Sequence, residues 1–354
     1  MIVRAFLFLL FLLSSLEAHL VRNPPLKVPC YRLVDLGPTN LPRHLLNRHS
    51  WPLTYAPRLN NDGVVVGNRA SEGFVWDSCR GFRRYRHKGA GTYFHDINNK
   101  GLILASAPFG CGCTEWLLWP QNPWMKRDGP LLVEPGCLQD AELYFRALND
   151  KTQLIGARRR EGEGCFTSVF WTPKMRAQIL SYGVVTGINN ENNMVGGGIC
   201  EREHPPFLWN TTGGPLLFSD ESCIKRPGKG ALFKEAVVAP DNTVYGTYVG
   251  KKKERPYLYA YFWNPCERVF GSLDLNGMRI SAVNNCHFLV GSCGREAVIS
   301  ANHWNPAPLI QLVKGYIWGW ELIEATDIND LGQIVGYGSY FGKTHLFFLD
   351  PIRE

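Results

Sequence analysis

The chain has 354 residues, of which 45% are hydrophobic and 19% charged, with 36 Gly, 23 Pro and a formal net charge of +7. That composition excludes a disordered chain, which is poor in apolar residues, and a long coiled coil, which needs charge-rich heptads. Eleven cysteines, all at or after Cys30, are many for a reducing compartment, and an odd number leaves at least one thiol unpaired or bonded to another chain.

At the N-terminus Arg4 precedes an apolar run over 5–13, and Ser14, Ser15 and Ala18 follow. Basic, hydrophobic and small-residue regions in that order make a secretory signal peptide of residues 1–18. The mature chain is expected in the medium or the cell envelope, as a periplasmic or cell-surface protein. The apolar run is shorter than the ~20 residues that cross a bilayer, so no membrane span is expected after cleavage.

From Thr54 onward one phrase recurs. It reads Leu59-Asn60-Asn61-Asp62-Gly63 running to Val66-Gly67, then Ile97-Asn98-Asn99-Lys100-Gly101 to Leu104-Ala105, then Leu148-Asn149-Asp150 to Ile155-Gly156. Ile188-Asn189-Asn190 runs to Val195-Gly196, Val283-Asn284-Asn285 to Val290-Gly291, and Ile328-Asn329-Asp330 to Val335-Gly336, with a weaker copy at Val238-Ala239-Pro240. Successive copies are 38 to 51 residues apart, and an apolar run ending in Trp76, Trp119, Trp171, Trp209, Trp263 or Trp304 follows each of the first six, Leu349 taking that place in the seventh. Asn and Gly supply the positive-φ positions of tight turns between short β-branched strands. A fourth apolar segment comes after the Trp, as in 130–133, 177–180, 215–218 and 308–312. Each repeat therefore reads as four antiparallel strands, a to d.

The seventh copy stops before its d strand, while the segment 30–37, from Cys30 to Gly37, has no repeat of its own. Letting that N-terminal strand complete the last blade hides the sheet edges. The expected fold is all-β, a seven-bladed β-propeller over 30–351 as a single domain. Six or eight blades and an open β-solenoid are the competing architectures. The Asn-Asn-x-Gly-x-Ile-Val-Gly phrase followed by a Phe-Leu-Trp run resembles the HAF family of extracellular repeat proteins. The resemblance implies an exported repeat scaffold and carries no catalytic residues. Ala105, Leu349 and Val238-Ala239-Pro240 depart from its pattern.

Strand alternation puts the b–c and d–a loops on one face, and most basic residues fall there. Arg83, Arg84, Arg158, Arg159, Arg160, Lys251 and Lys252 are the candidate binding residues for an anionic partner, an acidic glycan or a protein surface. Nucleic acid is not expected for an exported chain. Cys111, Cys113, Cys137, Cys165, Cys200, Cys223 and Cys293 also fall in loops of that face and are the candidate disulfide cysteines; an intermolecular disulfide would account for the odd one. The six repeat tryptophans are expected to pack between blades. Trp51, Trp116, Trp124, Trp318 and Trp320 lie outside that position and are candidates for an exposed recognition surface, above all Trp318 and Trp320.

No metal site or cofactor is expected. Cys111-Gly112-Cys113 lacks the second close pair of a zinc site, and the repeated Asn/Asp phrases read as turns without the oxygen spacing of a calcium loop. The stretch 338–344 has three residues between its glycines where a phosphate loop needs four. His95-Asp96 reads as the end of a strand. The leading functional expectation is a non-enzymatic exported binding module. A disulfide-linked envelope component and a polysaccharide hydrolase or lyase built on carboxylates at the disc centre are the alternatives.

Overall fold

In the computed structural model, residues 28–46, 55–70, 72–87, 90–109, 113–120, 130–133, 142–159, 166–180, 184–197, 207–210, 214–217, 232–252, 255–264, 269–301 and 305–352 are described. They form seven antiparallel sheets in sequence order. In blade 3 the inner strand a is Glu142–Leu148, followed by Leu154–Arg159, Thr167–Thr172 and the outer strand d, Arg176–Ile179. The last blade runs Trp320–Ile328, Ile334–Tyr340, Lys343–Pro351, and its d strand is the N-terminal Tyr31–Pro38, antiparallel to the third. The ring is thus closed as the sequence predicts. The expected signal peptide, 1–18, lies outside the described residues.

The repeated phrase does more than turn the chain. Within a blade, the Asn149 side-chain oxygen accepts the Lys151 and Gln153 amides at 3.0 Å each. Its amide nitrogen donates to the Asn189 carbonyl of the next blade at 3.1 Å. The same interblade bond runs from Asn60 to Asn98, Asn98 to Asn149, Asn189 to Ala239, Asn284 to Asn329 and Asn329 back to Asn60. One residue further on, a second ring links backbone amides to side-chain oxygens, as from Asn61 to Asn99, Asn99 to Asp150 and Asp330 to Asn61. Both rings break in blade 5. Ala239 has no side-chain donor to offer blade 6, and Pro240 has neither an amide hydrogen nor a side-chain acceptor.

The closing glycine also has a mechanical cause. In blade 3 the inner strand bulges between Phe145 and Ala147, and a Cβ on Gly156 would collide with the Tyr144 carbonyl. Similar bulges press Val184, Arg279 and Glu324 carbonyls onto Gly196, Gly291 and Gly336. Blade 2 keeps the bulge opposite Ala105.

The tryptophans pack between blades: Trp76 against Val335 and Phe348 of the last blade, Trp171 against Leu104 and Leu118 of blade 2, Trp263 against Val195 and Leu208 of blade 4. Blade 6 departs from the expected pattern. Its b–c connection is a tight hairpin, Cys293 pairing Glu296, so strand c ends at Ala301 and Ser300, opposite Leu289, takes the tryptophan position. Trp304 lies beyond the strand and outside the described residues. The apolar segment 308–312 is likewise not a full d strand, because only Ala307–Pro308 pairs and Leu309–Leu312 is one helical turn. At the junction that lacks both the tryptophan and the Asn donor, Tyr245 fills the core where other blades carry Val, Leu or Ile, and its hydroxyl lies 2.8 Å from His287 Nδ1. His287 Nε2 is 3.4 Å from the Asp241 carboxylate, so a Tyr–His–Asp chain ties blade 5 to blade 6.

Candidate functional site

Polar side chains of the inner strands face one another around the axis and are spent on joining blades. Asp96 accepts the Leu148 amide and Asp327 the Leu59 amide, each in the following blade. Thr186 and Thr326 donate their hydroxyls to the Ala236 and Pro57 carbonyls of theirs. Buried Arg58 donates to the His95 and Thr326 carbonyls and stands 4.0 Å from Asp96. His95 Nε2 is 2.7 Å from Ser106 Oγ, and its ring lies 5.0 Å from that of Trp116. His95-Asp96 is therefore structural, and Asp96 serves the neighbouring blade rather than its own turn. Glu324, 2% exposed, accepts from Tyr337 at 3.0 Å and Ser281 at 3.4 Å. Burial first, and then the Glu324 carboxylate, push the Tyr337 phenol far up. Among the described residues no group of three or more His, Cys, Asp and Glu is placed to hold a metal ion, and no helix is long and apolar enough to cross a membrane.

The basic residues of the b–c and d–a face are mostly neutralised by carboxylates that the sequence does not put beside them. Arg83 is displaced from that face: it sits near the c–d end of its strand and pairs at 2.6 Å with Asp77, which caps the turn on the opposite face. Arg84 and Arg86 pair with Glu72, Arg159 with Glu142 at 2.9 Å and Lys252 with Asp274 at 2.7 Å. The bond from Arg159 holds the Glu142 carboxyl below the usual range, and the bond from Lys252 does the same for Asp274. Lys251 is exposed, and Arg160 lies outside the described residues.

Arg158 differs from these. It lies in strand b between Leu143 and Thr167. Alternation along the strand puts it on the side of Leu154, which packs on Leu104 and Trp116 of blade 2. The guanidinium is directed into the seam between blades 2 and 3, at the b–c end. The residue is 7% exposed, and its Nε and Nη1 groups have no hydrogen-bond acceptor among the described residues.

The aromatic candidates separate. Trp116 is not a surface residue: it is 4% exposed, and its indole N–H donates to the Leu143 carbonyl across the blade 2–3 seam at 3.0 Å. On the c strand it shares a face with Leu118, which is buried against blade 3. Trp51 and Trp124 lie outside the described residues. Trp318 is 66% exposed, while Trp320 begins the inner strand of the last blade, stacked on Tyr340 with ring centroids 5.1 Å apart. Sequence reasoning missed Tyr316 and Phe341, exposed by 78% and 52% beside Trp318. Both follow from their places in the d–a loop and the b–c hairpin.

Of the candidate disulfide cysteines, Cys111, Cys137, Cys165, Cys200 and Cys223 lie outside the described residues, and Cys113 is described only as the first residue of a strand. Cys293 is corrected. It closes strand b of blade 6 as a free thiol 3.8 Å from the Leu275 carbonyl, and burial, with Glu296 second, pushes it up to about 11. Cys30, Cys79 and Cys286 are also free.

No family model and no curated protein matches the sequence. Solved structures do match the fold. A chain of the mitotic checkpoint complex aligns with a TM-score of 0.56 at 10% identity, over 94% of this chain and 96% of that one. A streptogramin B lyase aligns at 0.53 and 10% identity, over 91% and 98%. The β-propeller domain of the trilobed protease from Pyrococcus furiosus, described as having an open velcro topology, aligns at 0.50 and 11% identity, over 74% and 85%. These likenesses establish a seven-bladed β-propeller and nothing about activity.

Proposed function

We propose that the chain is an exported, non-enzymatic binding module whose b–c and d–a face engages an anionic group of its partner. Arg158 is the observation that carries this reading. Burying guanidinium N–H groups without an acceptor is costly. Retaining them is sensible where a ligand supplies the acceptor, a common exchange of stability for binding. The resemblance to extracellular repeat proteins and the segment 1–18 support export, and removal of that segment would leave His19 as the N-terminal residue in an intact-mass measurement.

Thermal unfolding of the wild type and Arg158→Met, with and without sodium sulfate, tests the anion reading. The apolar variant should unfold at a higher temperature than the wild type in sulfate-free buffer, and sulfate should stabilise only the wild type. An Arg158→Met protein that is less stable and shows the same sulfate shift would refute it.

A second reading, a disulfide-linked envelope component, has one observation in its favour. Cys79 and Cys286 are exposed free thiols in turns of the opposite face. It predicts a covalent species on non-reducing gels that Cys79→Ser with Cys286→Ser removes.

A further inference from the structure

We propose that the last blade carries a stacking platform for an acidic polysaccharide, formed by Trp318 and Phe341 with Lys343 beside them. This deepens the binding-module reading and rests on it for the partner's negative charge.

The platform is built from two segments that the topology brings to the same face. The Trp318 and Phe341 rings meet edge to face, 4.7 Å between centroids at 74°. The Phe341 amide donates to the Gly319 carbonyl at 2.9 Å, locking loop to hairpin. Behind the exposed pair the rings continue inward. Phe341 meets Tyr340 at 4.7 Å, Tyr340 stacks on Trp320, and Trp320 meets His345, whose Nδ1 is 2.9 Å from the Asp35 carboxylate. The two exposed rings are therefore held by a supported column rather than left on a loose loop.

The turn itself does not ask for Phe. Phe341 and Gly342 have φ of 47° and 80°, as in a type I′ hairpin, where Asn, Asp or Gly is favoured. The corresponding left-handed position holds Ala70 in blade 1 and Gly294 in blade 6. A bulky residue there is a backbone outlier, and such outliers concentrate at binding sites. A flat, open indole with a second ring at right angles suits the C–H face of a pyranose, whose partly positive hydrogens meet the negative face of the ring.

Charge selects among sugars. Lys343 follows in the same hairpin and, by alternation, shares the side of His345, which meets Tyr340 and Trp320. Lys343 has no carboxylate partner among the described residues, unlike Arg83, Arg84, Arg159 and Lys252. The exposed acid of the inner strand, Glu321, follows Trp320 and so points to the opposite side of the pleat. Uronate groups on every ring would bring negative charge to Lys343 wherever along the chain the platform binds.

Affinity electrophoresis through gels containing polygalacturonate, dextran or polyglutamate tests this. Polygalacturonate should retard the wild type and dextran should not. Trp318→Ala with Phe341→Ala should weaken the apparent affinity about tenfold or more, and Lys343→Ser should lower it by about two- to fivefold and flatten its salt dependence. The changed side chains are exposed, so thermal unfolding of the variants should match the wild type. Equal retardation of the double variant and the wild type would overturn the platform, as would equal retardation by dextran or polyglutamate. Loss of retardation in Arg158→Met but not in the double variant would overturn the platform and leave the anion reading standing. Failure of polygalacturonate to retard the wild type would overturn the glycan, while the sulfate experiment judges the anion reading separately.

Discussion

Asn329 of the last blade donates its side-chain amide to the carbonyl of Asn60 in the first at 2.9 Å, the bond that also joins Asn98 to Asn149. Ring closure therefore uses the repeat's own fastener in addition to the N-terminal strand. The Asn is buried and serves two blades at once, which makes it costlier to lose than an ordinary turn residue.

Replacing Asn149 by Ala strands the Lys151 and Gln153 amides and leaves the Asn189 carbonyl with only the Asn192 amide, and should cost about 2 kcal/mol or more. Ala239→Asn supplies the missing donor toward blade 6 and should gain about 0.5–1.5 kcal/mol. Urea unfolding midpoints read both. A neutral Asn149→Ala would contradict the interblade role.

Tyr245 and Ser300 are predicted to be coupled. Trp171→Ala, removing a buried interblade ring, should cost about 3–5 kcal/mol. Ser300→Trp alone should overpack the junction that Tyr245 already fills and lose about 1–3 kcal/mol. Adding Tyr245→Val should recover part of that loss, and a double-mutant cycle measures the coupling.

Thiol labelling should separate the free cysteines. Cys293, pushed up to about 11 by burial and Glu296, keeps its proton at pH 8 and should react far more slowly than exposed Cys79 and Cys286. Its rate should climb as pH approaches that value. Equal labelling of Cys293 and Cys79 at pH 8, read by peptide mass, would contradict the geometry.

Acid should unmask the basic face. The Glu142 and Asp274 carboxyls are held below their usual range by Arg159 and Lys252, so these pairs are complete above the ordinary carboxylate range and break as pH falls through the depressed values. Retention on a sulfonate matrix should rise there as the partners are released. Glu142→Gln with Asp274→Asn should bring that rise to neutral pH. Identical elution of this variant and the wild type at pH 7 would show that the pairs do not mask the face.

The repeat phrase, the four-strand unit, the orphan N-terminal strand and the packing role of the tryptophans were legible because each is local or recurs at a fixed period. What the Asn residues do between blades was hidden, since a turn and an interblade donor ask for the same side chain. Trp304 misled because its distance from Gly291 equals that of Trp209 from Gly196; only the two-residue hairpin in blade 6 moves strand c out from under it. The basic residues were found, but their neutralisation was not, because Glu142 and Arg159 meet only through strand pairing. Pleat parity could have shown that Trp116 and Trp119 point to opposite sides of one strand.

Hydrogen exchange with and without polygalacturonate tests the binding account most directly, because it reads both faces at once. The account predicts slowed exchange in 157–159, 317–321 and 339–344 on the b–c and d–a face, with no change in the Asn turns at 60–64, 98–102 and 149–153. Protection of those turns, or of neither face, would contradict it.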